Sequence, residues 1–406
     1  MAFSSLRLHL AVLLILTMNS IVMVESFSNP AFSKKVLVGR PQTPKSLDLA
    51  QKMPAFPAMG TLFKRNRRRK STTMIASSST TSNISTSNHL SSSSSLHPVQ
   101  ANLTKALMIL YIASMCITLP LTLSPLYLLY KLRIISTTRK ENLALRTGCF
   151  CSRWCLRLLP FCRLRAIPTN VRVGNIVNDH NVPQDPCVWV CNHTSMLDVF
   201  VLMAADHKLR GSKRRPLKIV YWKGLESNPV TKLLFRMCGF LPVNMTANAP
   251  GENNEYDTSS FKNLLRSSKK AFEEGFDIGI LPEGQLNPNP EKGLLPIFKG
   301  AFTLAKLSRR PIQMMSLFGT HRLWHPNDMD LFKTKVEGRN ISVRAYPLPK
   351  GHRFTSGDEF EATFQNVVGH FGMYGKDLEE DELEQWLDGR AWSKRMAEEE
   401  HEGDKK

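Results

Sequence analysis

The feature that most constrains this chain is the stretch Val188-Trp189-Val190-Cys191-Asn192-His193-Thr194-Ser195-Met196-Leu197-Asp198. A short run rich in β-branched and aromatic side chains reads as a buried strand. It stops at Asn-His, and an apolar helical pattern over Ser195–Ala205 follows at once. A strand that passes directly into a helix is the building unit of an α/β sheet. The same punctuation recurs downstream. It predicts strands at Cys187–Cys191, Lys218–Trp222, Asp277–Leu281, Ile312–Phe318 and Ile341–Pro347. Further helices are predicted at Pro229–Met237, Ser259–Glu274, Phe298–Leu307 and Glu359–Phe371. The expected fold class is therefore α/β, a mixed or largely parallel sheet covered by helices, over residues 169–375.

The flanking regions differ in composition. Of the chain's 54 Lys and Arg and 34 acidic residues, twelve and two lie in residues 1–100, which leaves 42 and 32 for residues 101–406. The positive excess that remains suits an anionic membrane surface or a phosphorylated ligand. Residues 1–26 carry Arg7 and then an apolar run from Leu8 to Val24, the pattern of a signal peptide or an uncleaved anchor. Residues 27–100 are basic, poor in acids and loaded with Ser and Thr. Such a segment cannot bury a core and has transit-peptide composition. The succession resembles the bipartite plastid presequence of algae with secondary plastids, which implies a plastid membrane. A signal anchor with a luminal linker would imply the endoplasmic reticulum membrane instead.

Ala106 to Tyr130 is 25 residues without a charge, and about 20 suffice to cross a bilayer as a helix. Pro120 and Pro125 are expected to kink it or to let it return as a hairpin. Arg146 to Ile167 interleaves arginines with Phe150, Trp154 and Phe161, which suits an interfacial segment. Residues 101–168 thus read as a membrane-embedded helical element with the lipid bilayer as partner. Residues 376–406 read as a solvated acidic tail.

The eight cysteines suggest a reduced chain, because they follow no disulfide framework. The cluster Cys149, Cys151, Cys155 and Cys162 fits no common zinc-ligand spacing, so no metal is expected. The positive charge comes without a helix-turn-helix, zinc-finger or RNA-binding signature, which argues against a nucleic-acid partner.

His193 at a strand's end and Asp198 on the first turn of the next helix can meet across a small gap. A general base and the carboxylate that orients it are built this way. Three landmarks follow in order: Ile280-Leu281-Pro282-Glu283-Gly284-Gln285, Phe298-Lys299-Gly300-Ala301-Phe302, and Pro311-Ile312 leading a strand that ends Phe318-Gly319-Thr320. Gly284 permits close backbone approach at a strand end, where exposed amides can hold a phosphate or an oxyanion.

Taken together, these blocks resemble the glycerolipid acyltransferase family that contains bacterial and plastid 1-acylglycerol-3-phosphate acyltransferases. The resemblance covers roughly residues 105–350. It implies an α/β acyltransferase domain behind a membrane-embedded helical element, with no cofactor. It also implies a lysophospholipid acceptor and an acyl-carrier-protein or coenzyme A thioester donor. His193 would deprotonate the acceptor hydroxyl, and Asp198 would hold the imidazole and stabilise the imidazolium. Glu283 and Gly284 would help bind the acceptor, with Glu283 orienting a donor or the acceptor's hydroxyl. Gln285, Lys223 (which matches a lysine the family often carries) and Lys299, a nearby candidate for replacement charge, complete the expected substrate-binding set.

Two blocks depart from the family pattern. Gln285-Leu286 stands where the family continues Thr-Arg. Aligned on Gly239, Met245 stands where the family places an Arg. An Arg fork holds a phosphate monoester far better than the side chains that stand here can. The expected acceptor is 1-acylglycerol 3-phosphate, giving phosphatidic acid, with a phosphodiester lysophospholipid as the alternative. Two other readings attach to the same residues. Cys191 and His193 share a strand face and could form a thiol dyad. A catalytically silent membrane scaffold is the other, and the intact His193–Asp198 pair speaks against it.

Overall fold

The computed structural model describes residues 96–176, 185–227, 229–244, 258–328, 330–348 and 353–403. The expected signal segment, nearly all of the transit-like segment and Met245 lie outside the described residues.

Among the described residues there are seven strands: β1 (Arg163–Ile167), β2 (Val188–Cys191), β3 (Leu217–Trp222), β4 (Leu241–Val243), β5 (Asp277–Ile280), β6 (Ile312–Phe318) and β7 (Asn340–Ala345). They form one sheet in the order β1-β7-β6-β2-β5-β3-β4. β6, β2, β5, β3 and β4 run parallel, β7 is antiparallel to β6, and β1 is parallel to β7. The sheet is therefore mixed. Its five parallel strands end at one edge, where α/β folds place their ligands. Val190 sits in register with Ile280 on one side and Met314 on the other. The chain leaves β2, β5 and β6 side by side.

β2 is central and buried along its whole length because both sheet faces are covered. Trp189 and Cys191 enter one core, and Val188 and Val190 the other. The first core lies under α1 (Pro98–Lys131), α2 (Thr137–Leu158) and α3 (Asp198–Arg210). The second is closed by α5 (Thr258–Glu273), α6 (Gly300–Ser308), α7 (Gly357–Phe364) and α9 (Glu380–Leu387). The short helices α4 (Pro229–Cys238) and α8 (His370–Tyr374) and the terminal α10 (Arg390–Gly403) complete the set among the described residues.

The predicted central strands and helices recur within a few residues of their expected ends, with informative differences. β1 lies inside the segment read as interfacial. Arg163 and Arg165 alternate there with Leu164 and Ala166, a period-2 pattern that pairs with β7. α3 starts at Asp198 and not at Ser195, because the amides of Thr194 and Ser195 both donate to the Asp198 carboxylate. In the region read as a solvated acidic tail, Leu383 and Leu387 of α9 are buried in the second core. The acidic composition hid that apolar side.

α1 continues through Pro120 and Pro125 and does not return as a hairpin. Its buried residues Thr104, Met108, Tyr111, Ile112, Met115, Leu119 and Leu123 form a stripe at helical spacing. The stripe is fastened to the domain by polar contacts. Tyr111 and Ser152 share a hydrogen bond of 2.6 Å, and Ser152 Oγ donates to the Phe200 carbonyl at 2.8 Å. α2 is locked by Glu141, which accepts from Lys218 Nζ at 2.7 Å. Gly239, at φ +65°, lies so close that a Cβ there would come within 2.3 Å of Glu141 Cδ. Removing one partner of a buried ion pair costs about 3–5 kcal/mol, so α1 and α2 are an integral layer of the domain.

Candidate active site

β2 is pinned where it ends. The buried Asn192 side chain donates to the Leu317 carbonyl at 2.9 Å and accepts from the Leu317 amide at 2.7 Å. The next residue, His193, turns toward α3, and its Nδ1 lies 2.9 Å from Asp198 Oδ2. The carboxylate can only accept, so Nδ1 carries the proton and Nε2 is the basic nitrogen. The His193 side chain keeps 20% exposure, whereas that of Asp198 has none. The expected base and orienter are thus brought together, the base toward solvent and the orienter inside.

Asp198 is satisfied on every side. Besides His193, Oδ2 accepts the amides of Thr194 at 2.7 Å and Ser195 at 2.9 Å. Oδ1 accepts from Thr320 Oγ1 at 2.6 Å. Ser195 Oγ donates to the Trp324 carbonyl at 2.8 Å, which ties the same loop to the segment after β6.

Glu283 sits at the end of β5 with 1% exposure. Its Oε1 accepts the His193 amide at 2.7 Å, and its Oε2 accepts the Leu295 amide at 3.0 Å and Asn287 Nδ2 at 3.2 Å. The Asn287 amide in turn donates to the His193 carbonyl at 3.0 Å. The backbone of His193 is therefore gripped from both sides by the Glu283–Leu295 loop. The Glu283 carboxylate faces this scaffold and not open space, so it holds the base's loop where the sequence suggested contact with a substrate. Burial pushes its carboxyl up to about 7, against the opposing pull of the Leu295 and His193 amides.

The other expected residues lie apart. Gly284, at φ +69°, donates its amide to the Leu281 carbonyl at 3.0 Å. It closes a turn, and that amide is already engaged. Gln285 is exposed beyond it, and Lys223 is exposed on the helical turn after β3. Lys299 is exposed and pairs with Asp358 and with Glu361 on α7. Cys191 is buried and donates its thiol to Asn192 Oδ1 at 3.6 Å. Burial raises that thiol well above its ordinary range, so it is an inert core group and not half of a dyad. All eight cysteines are free.

A cavity of about 260 Å³ runs between α2, α3 and the sheet. Cys191, Leu281 and Met315 line it near the strand ends, Leu202 and Met203 line its α3 wall, and Arg153 lies at the α2 side. It is mostly apolar. Sequence reasoning missed Asn192, Asn287 and Thr320, which order the site. All three lie in or beside the motif blocks, but Leu317, the His193 carbonyl and Asp198, which they respectively hold, are far away in the chain.

The Acyltransferase family model matches residues 174–317, which span the His193 and Glu283 blocks and most of β6. With the motif order, this match supports the likeness to the glycerolipid acyltransferase family over that segment. Among its relatives is a chloroplastic 1-acyl-sn-glycerol-3-phosphate acyltransferase of Brassica napus. It is 27% identical over 145 residues, which are 35% of this chain and 36% of that one. A 1-acyl-sn-glycerol-3-phosphate acyltransferase of Cocos nucifera is 25% identical over 142 residues, 35% of this chain and 40% of the relative. The aligned part thus spans less than half the length of either. Among solved structures, the crystal structure of the 1-acyl-sn-glycerophosphate acyltransferase from Thermotoga maritima superposes with a TM-score of 0.45 at 14% identity. The match covers 67% of this chain and 94% of that one.

Proposed function

We propose that this chain is a membrane-bound O-acyltransferase that moves an acyl group from a thioester donor to the free hydroxyl of a lysophospholipid. The observation that carries the reading is the His193 Nδ1–Asp198 contact of 2.9 Å, with the base partly exposed and its orienter sealed. His193 Nε2 takes the proton of the acceptor hydroxyl as its oxygen attacks the thioester carbonyl. The tetrahedral intermediate collapses with expulsion of the thiolate. The imidazolium, steadied by Asp198, returns the proton to that sulfur. The acyl chain occupies the apolar cavity beside Cys191 and Leu281. The leading acceptor is 1-acylglycerol 3-phosphate, in line with the names of the two plant relatives.

A phosphodiester lysophospholipid is the second reading, favoured by Gln285 and Leu286 standing where the family carries Thr-Arg. α1 is long and apolar enough to cross a membrane. Because its buried stripe is part of the domain core, we read it as lying in one leaflet and not as leaving the domain to span the bilayer. Leu103, Leu110, Leu121 and Leu128 of α1, with Phe150, Trp154 and Leu158 of α2, expose the apolar face for that leaflet. Arg153 over Phe150 and Arg157 over Trp154 supply headgroup contacts. The plastid is the proposed compartment, and acyl-carrier protein its matching donor.

The test is an assay of purified membranes with labelled acyl donors and a lysolipid panel. His193→Ala is expected to lower transfer by about 10²–10⁴, and an unchanged rate would sink the mechanism. Preference for a zwitterionic lysolipid would move the acceptor to the second reading. Residues 1–100 fused to a fluorescent protein report the compartment, and a reticular pattern would end the plastid reading.

A further inference from the structure

Thr320 reaches the site through a turn that requires glycine. Gly319 follows β6 at φ +87°, and a Cβ there would lie 2.3 Å from the Asn340 carbonyl oxygen. The turn carries Thr320, which is fully buried, into the His193 loop. Its Oγ1 lies 2.6 Å from Asp198 Oδ1 and 2.7 Å from Thr194 Oγ1. A carboxylate has no proton to give, so Thr320 donates its single hydroxyl proton to Asp198. Thr320 must then accept, and Thr194 must donate. The charge on Asp198 therefore sets a one-way chain of hydrogen bonds, Thr194 to Thr320 to Asp198. The other three donors to Asp198 belong to residues 193–195, on its own loop. Thr320 comes from 122 residues away. It fixes the rotation of the carboxylate relative to the sheet, and through it the aim of the imidazole.

We propose that Thr320 is a positioning residue for acyl transfer, setting the basicity and orientation of the His193–Asp198 pair through its hydrogen bond to Asp198 Oδ1. This rests on the reading of His193 as general base. Without that donor the carboxylate charge is less dispersed and holds a protonated imidazole more tightly. The pair then gives up its proton at higher pH; the other titratable groups that bear on it, Glu283 at the His193 amide and His321 beside Thr320, are the same in parent and variant.

The experiment uses the full chain in lipid–detergent micelles with ring-labelled histidine. The His193 resonance, assigned by its loss in His193→Asn, is titrated by NMR, and the pH profile of kcat/KM is recorded beside it. In Thr320→Val the proton concentration at the His193 midpoint is expected to fall about tenfold. The acid limb of kcat/KM moves the same way, and its plateau drops about tenfold. Thr320→Ser restores both. Thr194→Val, one step further out, shifts the midpoint in the same direction by less. A midpoint in Thr320→Val equal to that of the parent, in protein with an unchanged Tm, would overturn the proposal and leave Thr320 as packing. If Thr320→Val does not fold, Thr194→Val and Thr320→Ser decide: equal midpoints in Thr194→Val and the parent, or failure of Ser to match Thr, count against it. The titration needs no substrate. An inactive parent protein would therefore refute the proposed function without touching the Thr320 result.

Discussion

Around His193 the protein answers its own polar groups. The imidazole is held by Asp198, the His193 amide by Glu283, its carbonyl by Asn287, and Asp198 by Thr320 and two amides. At the rim the pattern reverses. Gln285 and Lys223 are exposed, and Lys299 is drawn away to Asp358 and Glu361 on α7. On the proposed function, the inner loop is built before a substrate arrives, as preorganised catalysis requires, and the rim is left to be completed by the ligand. Reactivity and recognition would then be separate layers, and substitutions in the two should fail differently.

The sharpest contrast comes from Asp198. Asp198→Ala strands the Nδ1 proton and removes the anion that stabilises the imidazolium. The loss in kcat is expected to be on the order of 10²–10⁴ with little change in KM. Measured steady-state rates with one fixed lysolipid check this. A loss confined to KM would mean that Asp198 binds substrate, and the division between the layers would break.

Glu283 comes next because it belongs to the inner layer by geometry, although it reads as a substrate contact. Glu283→Ala leaves two amides without their acceptor and the Asn287 side chain with the Gly293 carbonyl alone. It should cost on the order of 2–4 kcal/mol of stability and lower kcat more than it changes acceptor KM. The carboxyl also makes stability depend on pH. Its ordinary value of 4.5 is raised to about 7 in the folded chain. Between those values the folded state holds more of the proton than the unfolded state does. The contribution of Glu283 is therefore fully present below about 4.5 and is lost as pH rises to about 7. Urea melts across that window should show the decline, and Glu283→Gln, which cannot ionise, should flatten it. A slope that survives in Glu283→Gln would assign the dependence to another group.

How far the sequence could carry this follows from where each signal resides. The His193–Asp198 pair is legible because both residues lie within one strand-to-helix passage, and β2, β5 and β6 are legible as short apolar runs. The role of Glu283 is not, because a carboxylate at a strand end looks the same whether it faces a ligand or the next loop. The three amide and side-chain donors that settle it come from residues 193, 287 and 295. Thr320 is hidden for the same reason: its partner is set by the adjacency of β2 and β6 in the sheet, not by local spacing. β1 was masked by its arginines, whose charge suggested a lipid headgroup contact, while their period-2 alternation marked an exposed edge strand.

The smallest effects belong to the rim, and they bear on the acceptor. Lys299→Ala removes an exposed ion pair worth no more than about 1 kcal/mol, and should leave kcat and acceptor KM nearly unchanged. Gln285→Arg acts in the opposite sense. It places a guanidinium on the exposed turn after Glu283, at the strand-end edge that also carries His193. An Arg fork favours a phosphate monoester over a phosphodiester by charge and by bidentate geometry. The KM for 1-acylglycerol 3-phosphate should therefore fall by about three- to tenfold relative to that for a zwitterionic lysolipid, with kcat for both unchanged. That split would show that the rim tunes the headgroup without disturbing the base. A drop in kcat would instead mean that the turn holding Gly284 and Glu283 feels the added side chain, so that the two layers are mechanically joined at this one strand end.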